Sequence, residues 1–236
     1  HDKGIIDEVN KVSVADIRFE GKPELIEIIG KEIDDIYLEK VHTLSIDPEC
    51  IARQKDLKIV YTPLHGTGKM LIPQSLKIWG FENVNTVPEQ MIPDGNFPTC
   101  PYPNPEIFEA LRLGLELAKK EGADLMLATD PDADRVGIAI KCPDGSYELV
   151  SGNEVGVLLL DYICAGRIEK GTMPKNPVAV KSIVSTPLAD AVAESYGVEM
   201  RSVLTGFKWI GDQIANLEAA GEVDRFIFGF EESYGY

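Results

Sequence analysis

Three aspartates at alternate positions, followed directly by an arginine, form the segment of this chain with the clearest chemistry. Asp130, Asp132 and Asp134 follow an apolar run, and Arg135 leads into a second one. Carboxylates held this close together each disfavour the ionisation of the others. A hard divalent cation removes that cost, and oxygen-only ligands favour Mg²⁺ or Ca²⁺ over zinc or copper. The segment therefore predicts a metal site, with Arg135 placed to hold a phosphate beside the metal.

An acidic turn and a calcium EF-hand loop are the two competing interpretations of the segment 130–135. Acidic turns exposed to solvent are common, but the flanking apolar runs are typical of buried strands and confine this turn. An EF-hand loop needs Gly at its sixth position and Glu at its twelfth. Those positions hold Arg135 and Lys141 here, and a strand rather than a helix precedes the loop. A metal site that faces a phosphorylated ligand is the preferred interpretation.

A second polar loop follows the predicted strand 57–61. It contains His65 and two glycines, and a helix is predicted from about 69 to 79. A strand, a glycine loop and a helix N-terminus together aim backbone N–H groups at an anion. His65 is one of only three histidines. Two roles stay open for it, a catalytic residue or a turn histidine bonded to the backbone.

The stretch 88–105 carries six prolines, which predicts an extended loop with few backbone hydrogen bonds. Loops of this length within a compact domain usually serve a site. Asn104 is expected to cap a helix that Pro105 opens and Gly122 ends. Near the beginning of the chain, Pro23 and an apolar stripe at three- and four-residue steps predict a helix over 23–41.

Strands and helices alternate through the rest of the chain, after a predicted hairpin turn at 143–146. This alternation implies parallel strand pairing. The predicted fold class is α/β, with two consecutive domains whose sheets are mixed or mostly parallel. The predicted elements are a helix over 153–165, a linker over 166–177, strands over 178–184, 197–204 and 225–230, and helices over 186–196 and 207–220.

Each polar loop of the sequence follows a predicted strand. In open α/β sheets, ligands bind beyond the carboxyl ends of the strands, so these loops should share one cleft between two domains. Thr205 and Gly206 open a predicted helix, where backbone amides and the Lys208 ammonium can meet phosphate or sugar oxygens. A helix cap with a solvated lysine is the alternative. The loops concerned are 65–68, 130–135, 185–186, 205–208 and 231–233.

The segment 129–135, Thr-Asp-Pro-Asp-Ala-Asp-Arg, resembles the metal loop of the α-D-phosphohexomutases, the phosphoglucomutase/phosphomannomutase family. The resemblance implies that the three aspartates bind Mg²⁺ and that Arg135 helps to hold the active-site phosphate. It also implies active-site loops at the carboxyl ends of the strands.

Two further segments are similar to the same family. The segment 229–235, Gly-Phe-Glu-Glu-Ser-Tyr-Gly, resembles its sugar-binding loop, which implies that Glu231 and Ser233 bind ring hydroxyls. The segment 205–208 resembles a loop of the family's third domain. Lys181 lies on the strand where some members carry a functional lysine, which implies a substrate-binding role.

The resemblance covers nearly the whole chain and implies its domain organisation. Residues 1–34 would be the tail of a preceding domain with a linker helix. Residues 35–150 would form the metal-binding second domain, and residues 151–236 most of the sugar-binding third domain. The chain begins without Met, and neither the family's first-domain serine loop nor its fourth-domain phosphate loop is found. We therefore expect a piece of a longer protein that lacks its first and fourth domains.

The function implied by the resemblance is a Mg²⁺-dependent interconversion of hexose 1-phosphate and hexose 6-phosphate, with glucose or mannose as the sugar. It would proceed through a phosphoserine and a hexose bisphosphate intermediate, and this polypeptide alone is expected to be inactive. Two alternatives stay open. One is an aspartyl phosphatase or β-phosphomutase type enzyme with Asp130 as nucleophile. The other is a non-catalytic module that binds sugar phosphate or calcium.

Composition limits the partners and the compartment. The net charge of −16 over 236 residues argues against nucleic acid or an anionic membrane as a partner. Four cysteines without a C-x-x-C pair favour reduced thiols, and hence the cytoplasm. No apolar run is long enough to span a bilayer, and no signal peptide is visible in the sequence.

Overall fold

The computed structural model describes residues 2–236, which separate into two compact units after residue 37. The first unit contains helix α1 (Asp2–Val9), single 3₁₀ turns at Val14–Asp16 and Pro23–Leu25, and the start of helix α2 (Lys31–His42). The predicted helix over 23–41 is thus wrong in its first part. Residues 26–30 contain three isoleucines and Gly30, and both residue types lower helix propensity, so α2 begins only after Gly30.

The second unit contains a mixed five-stranded sheet with the strand order β2-β1-β3-β4-β5. β1 pairs with β2 and β3 in parallel, whereas β4 pairs with β3 and β5 antiparallel. The predicted hairpin turn at 143–146 joins β4 to β5. The strands are β1 (Lys58–Thr62), β2 (Asn83–Thr86), β3 (Leu125–Thr129), β4 (Val136–Lys141) and β5 (Tyr147–Val150).

Three helices accompany this sheet, α3 (Pro48–Arg53), α4 (Ile72–Ile78) and α5 (Phe108–Glu121). α5 packs an apolar face that includes Leu111 and Leu115 into the core formed with β1 and β3. Each leucine buried in this way contributes about 1.5–3 kcal/mol. Gly122 ends α5 in the left-handed conformation (φ 65°), as predicted.

The predicted start of α5 is wrong by several residues. The Asn104 side chain accepts a hydrogen bond from the backbone N–H of Glu106 (2.9 Å) and so closes a short turn that precedes the helix. Ile107 occupies the N-cap position with an extended backbone (φ −98°, ψ 119°). Asparagine favours such local turns as strongly as helix caps, which explains the error.

A second sheet has three parallel strands in the order β7-β6-β8. Its elements are β6 (Val178–Ser182), β7 (Glu199–Val203) and β8 (Phe226–Phe230), with helices α6 (Gly152–Glu169), α7 (Leu188–Ser195) and α8 (Phe207–Ala219). A mixed sheet and a parallel sheet with helices between their strands confirm the predicted α/β class.

Helix α6 extends beyond its predicted end at 165. It begins with a capping box in which Ser151 and Glu154 satisfy each other's backbone N–H groups. It continues to Glu169, and Gly166 lies within it against Ile46, whose side chain would overlap an added Cβ there. The linker that was predicted over 166–177 is correspondingly shorter.

The two sheets of this unit meet through close backbone contacts. The N–H of Val136, the first residue of β4, donates to the carbonyl oxygen of Tyr234 (3.1 Å). An added Cβ at Gly152 would overlap the carbonyl group of Glu232, and one at Gly156 would overlap the Phe230 ring. The start of α6 therefore lies directly against the loop that follows β8.

Among residues 2–236, no helix combines the length and the apolar character needed to cross a membrane. All four cysteines are free thiols.

Substitution of Gly152 tests the contact between α6 and the 231–233 loop. Gly152→Ala should lower the free energy of unfolding by about 1–3 kcal/mol, because the added methyl overlaps backbone that cannot rotate away. Thermal unfolding measures the effect. Gly211→Ala in α8 is the matched control: no atom lies within 4 Å of an added Cβ there, so higher helix propensity should stabilise it by about 0.5–1 kcal/mol. Equal stability of Gly152→Ala and the wild type would contradict the contact.

Candidate metal and sugar-phosphate site

The three aspartates that follow β3 converge. One carboxylate oxygen from each of Asp130, Asp132 and Asp134 lies within 4.8 Å of the others. The loop turns because Ala133 adopts a left-handed conformation (φ 62°) and donates its N–H to the Asp130 carbonyl oxygen (3.0 Å). The backbone N–H of Arg135 donates to Asp130 Oδ1 (3.0 Å). An arrangement of oxygen donors with this spacing fits a hard divalent cation.

The aspartates differ in their surroundings, since Asp130 is buried and the other two are exposed. Burial first, and then the neighbouring carboxylates of Asp134 and Asp132, raise the pKa of Asp130 from 3.8 to about 6, and the backbone hydrogen bond from Arg135 opposes this rise. A bound cation would oppose both causes, because it stabilises the ionised form of each carboxylate.

Arg135 extends over the same loop with 40% of its side chain exposed. Its guanidinium lies 3.8 Å from Asp130, Asp134 and Glu106. These distances are too long for hydrogen bonds, and exposed ion pairs of this kind contribute little stability. The N–H groups of Arg135 are thus able to bind an oxyanion beside the three carboxylates.

The glycine loop after β1 packs directly against the loop that carries the three aspartates. The N–H of Thr67 donates to the Pro131 carbonyl oxygen (2.8 Å), and an added Cβ at Gly66 would overlap the Pro131 backbone. Gly68 lies against the hydrogen-bonded hydroxyls of Tyr61 and Thr129 (2.9 Å apart), and an added Cβ there would overlap both oxygens. Burial raises the pKa of Tyr61 to about 12, so this hydroxyl stays neutral. Only glycine allows the two loops to approach this closely.

His65 lies beneath the proline-rich loop and is 4% exposed. Its Nδ1 is 2.8 Å from the carbonyl oxygen of Ile92, and its Nε2 is 2.8 Å from the hydroxyl of Thr99. Gln90 also donates to that hydroxyl (3.0 Å). Both ring nitrogens therefore hold the loop in place. These contacts match the structural alternative for His65, and its catalytic role stays a prediction.

The loop after β8 is closed by a hydrogen bond from the N–H of Glu231 to the Gly235 carbonyl oxygen (2.9 Å). The Glu231 carboxylate is 6% exposed and accepts a hydrogen bond from the N–H of Gly206. Gly206 needs its positive φ of 119° for this geometry. The loops after β7 and β8, predicted to share a cleft, are thus joined. Ser233 in the same loop is half-buried.

The neighbouring carboxylate of Glu232 turns in a different direction. It accepts hydrogen bonds from the hydroxyls of Ser182 (2.5 Å) and Ser185 (3.1 Å), which bond to each other at 2.8 Å. Both serines are buried at the end of β6. Sequence analysis missed Ser182 and the role of Glu232, because no local spacing relates residues fifty positions apart. The pair anchors the loop after β8 to the central strand of its sheet.

Lys181 is also buried, with 4% exposure. Its ammonium lies 2.9 Å from Asp190 and donates to the carbonyl oxygens of Ser185 (3.2 Å) and Thr186 (3.3 Å). Three contacts match the three N–H groups of the ammonium. In this arrangement Lys181 holds the turn between β6 and α7, and its predicted role in substrate binding stays a prediction.

The structure therefore joins the predicted loops to different extents. The hydrogen bond between Val136 and Tyr234 connects the end of the metal loop to the loop that carries Glu231 and Ser233. Thr205 and Lys208 are exposed beside Gly206. The Lys208 ammonium lies 4.9 Å above the Trp209 ring. The arrangement can place a cation, an oxyanion site and sugar-binding groups along adjoining loops.

Comparison with known proteins gives this arrangement a family. One matching family model, over residues 35–145, is described as phosphoglucomutase/phosphomannomutase, alpha/beta/alpha domain II; a second, over residues 151–236, is domain III of the same family. The chain belongs to the phosphoglucomutase/phosphomannomutase family. The predicted membership is confirmed.

Relatives of this phosphoglucomutase/phosphomannomutase chain come from several bacteria. It is 36% identical over 226 residues to a phosphomannomutase of Mycoplasmoides pirum, and the aligned region covers 96% of this chain and 40% of that protein. It is 41% identical over 183 residues to a phosphoglucomutase of Staphylococcus aureus strain MRSA252, and the aligned region covers 78% of this chain and 32% of that protein. The crystal structure of a candidate phosphomannomutase from Thermus thermophilus has a TM-score of 0.63 at 26% identity, covering 86% of this chain and 41% of that one. The chain thus spans less than half the length of each.

The raised pKa of Asp130 generates a prediction about stability. Between pH 4 and 6 the folded state holds a proton on Asp130 that the unfolded state has lost. The free energy of unfolding therefore falls as the pH rises through this range, and the full decrease is reached above pH 6. In metal-free buffer, Asp130→Asn should therefore unfold a few degrees higher than wild type at pH 7.5, and this difference should shrink towards pH 4. The Asn Oδ1 can still accept from Arg135.

Thermal unfolding in EDTA across that pH range measures the effect. The matched control is Asp212→Asn on the exposed face of α8, which removes the same charge outside the aspartate cluster. If the stabilisation by Asp130→Asn grew as the pH fell, that result would contradict a raised pKa of Asp130 in the folded protein.

Proposed function

We propose that this chain supplies the metal-binding and sugar-binding domains of a hexose phosphate mutase. The observation that carries the proposal is the convergence of Asp130, Asp132 and Asp134 beside Arg135, on a loop hydrogen-bonded to the one that holds Glu231 and Ser233. Membership of the phosphoglucomutase/phosphomannomutase family supports it. The substrate class is hexose 1-phosphate and hexose 6-phosphate, with glucose or mannose as the sugar, as the names of the relatives suggest.

Mg²⁺ is the proposed metal, held by one oxygen from each of the three aspartates. When bound, it supplies a positive charge that neutralises a phosphoryl group and the charge that develops during its transfer. Arg135 binds the same phosphoryl group through its N–H groups and fixes its orientation. The buried Asp130 and the backbone hydrogen bond from Arg135 keep these groups in register.

Sugar recognition is proposed for the adjoining loops. Glu231 and Ser233 bind ring hydroxyls, and Thr205 and Lys208 meet phosphate or hydroxyl oxygens at the start of α8. The amide of Gly206 already donates to Glu231, so its contribution is to orient that carboxylate. His65 and Lys181 act through the loops that they hold in place. Little covalent chemistry falls to these residues, whose task is positioning and charge compensation.

The transferred phosphoryl group is proposed to come from a phosphoserine in a domain outside this sequence. A hexose bisphosphate would form, reorient in the cleft and return a phosphoryl group to that serine, which moves the phosphate between O1 and O6. A fourth domain would complete the phosphate site. This scheme makes the isolated chain inactive and the full-length protein active, and the cytoplasm is its expected location.

The two alternative functions make different predictions. An aspartyl phosphatase would form a phosphorylated Asp130, but family membership and the sugar-binding loop favour the mutase. A non-catalytic module would bind sugar phosphate in a full-length protein that has no mutase activity. Trapping of a phosphorylated Asp130 would favour the phosphatase, and ligand binding without turnover would favour the non-catalytic module.

Substitution of Asp132 tests the mutase proposal in the full-length protein. Asp132 is exposed, so Asp132→Asn should leave the fold intact. Loss of one carboxylate from the metal site should reduce turnover of glucose 1-phosphate or mannose 1-phosphate by at least about 100-fold, or roughly 2.7 kcal/mol in the barrier. It should also weaken the rise in unfolding temperature that MgCl₂ gives to the wild type.

Asp212→Asn is the control of equal charge, and it should keep both the turnover and the response to Mg²⁺. Wild-type turnover in Asp132→Asn would refute the role of the metal loop.

A further inference from the structure

A cavity of about 420 Å³ lies at the far end of α6, away from the proposed active site. The loop 43–46, the last turns of α6 and the start of β8 form its walls. α6 begins against the carbonyl group of Glu232, and its first residue in the cavity lining, Ile163, lies 11 residues or about 17 Å further along the helix. The cavity is therefore separate from the three aspartates and the sugar-binding loop.

The lining of this cavity is positively charged in a strongly acidic chain. Arg167 and Lys170 contribute two cations, whereas no aspartate or glutamate lines it. The chain as a whole has 39 acidic and 23 basic residues, so such a local excess of positive charge is unusual. Three hydroxyl groups, those of Thr43, Ser45 and Thr172, lie in the same lining. The hydroxyls of Thr43 and Thr172 donate to the carbonyl oxygens of Lys40 (2.7 Å) and Arg167 (3.4 Å), which leaves the Ser45 hydroxyl as the donor for a ligand. Cations and hydroxyl donors together are the groups that bind phosphate oxygens.

Arg167 is the least compensated of these groups. Its Nε is buried and has no hydrogen-bond partner among the residues that the structure describes. Its Nη1 reaches only the Thr172 carbonyl oxygen, at 3.4 Å. A buried charged donor without a partner costs free energy, and an anion against the guanidinium would offset part of that cost.

Lys170 has only a weak internal partner. Its ammonium lies 3.9 Å from Asp47, which is also 3.6 Å from Arg53 and accepts a hydrogen bond from the backbone N–H of Cys50 (3.2 Å). One carboxylate thus serves three donors. Cations near a helix C-terminus stabilise the helix dipole, which accounts for basic residues in this turn. The dipole does not account for the cavity, its three hydroxyls or the incompletely bonded guanidinium.

The walls of the cavity are fixed by packing. Ile46 fills the space beside Gly166, where an added Cβ would overlap its side chain. This contact holds the loop 43–46 against α6, so the hydroxyl-bearing loop and the two cations face one space before any ligand arrives. Preformed sites of this kind lose little entropy on binding.

We propose that this cavity binds a small oxyanion, either inorganic phosphate or the phosphate group of a metabolite, at a site distinct from the mutase cleft. Arg167 and Lys170 supply the charge, and the hydroxyl of Ser45 supplies a further donor. A bound phosphate stabilises the folded protein by linking the loop 43–46 to the end of α6.

Inorganic phosphate is the probe, titrated into the full-length protein at constant ionic strength and followed by calorimetry and thermal unfolding. Arg167→Met and Lys170→Met should each weaken the cavity binding event at least tenfold and remove its share of the thermal shift. Lys170 is exposed, so Lys170→Met keeps the test valid if Arg167→Met does not fold. Arg112→Met, at an exposed ion pair with Glu116 on α5, is the matched control and should bind phosphate as wild type does.

The cleft is a second place where phosphate can bind, and Arg135→Met separates the two. A binding event that survives in Arg135→Met and is lost in Arg167→Met belongs to the cavity. Phosphate or tungstate located in the cavity of a crystal, with no solution binding that depends on Arg167 or Lys170, would identify an adventitious ion only. That result, or unchanged titrations in both variants, would overturn the proposal.

Discussion

The crowding of three carboxylates at the end of one strand is the constraint on which this structure depends. Asp130 is buried beside two neighbours of the same charge, and burial and repulsion together raise its pKa to about 6. A fold holds such a group only where the surrounding backbone fixes it. Gly66 and Gly68 provide that support by bringing the loop after β1 into direct contact with the metal loop. The instability of the metal-free site is what would give it affinity for a cation.

A second constraint is the placement of the loop 231–235 relative to that site. The backbone bond between Val136 and Tyr234, the contact at Gly152 and the serine anchors of Glu232 hold this loop from three sides. Because these contacts involve backbone or buried side chains, the loop has little freedom to drift from the metal loop. Positioning of this kind suits phosphoryl transfer, in which geometry and charge compensation supply most of the catalysis.

Local pattern was sufficient to predict the fold class and the convergence of the three aspartates, because both depend on residues close together in the chain. The apolar runs around Asp130 and the glycine at 122 determine nearby backbone geometry. Long-range contacts could not be predicted in the same way. The serines that hold Glu232 and the bonds of His65 join residues that are about 27 to 50 positions apart in the chain and that only the tertiary fold brings together. The helix expected over 23–41 was wrong in its first part, because apolar periodicity was given more weight than the low helix propensity of isoleucine and glycine.

The central claim is that the three aspartates hold a divalent cation beside an oxyanion site. Anomalous diffraction from Mn²⁺-soaked crystals of the full-length protein tests it most directly, since Mn²⁺ accepts the same oxygen ligands as Mg²⁺. The account predicts one strong peak at about 2.0–2.3 Å from an oxygen of each of Asp130, Asp132 and Asp134, with the Arg135 guanidinium alongside. A peak bound elsewhere, with these three side chains directed into solvent, would contradict it.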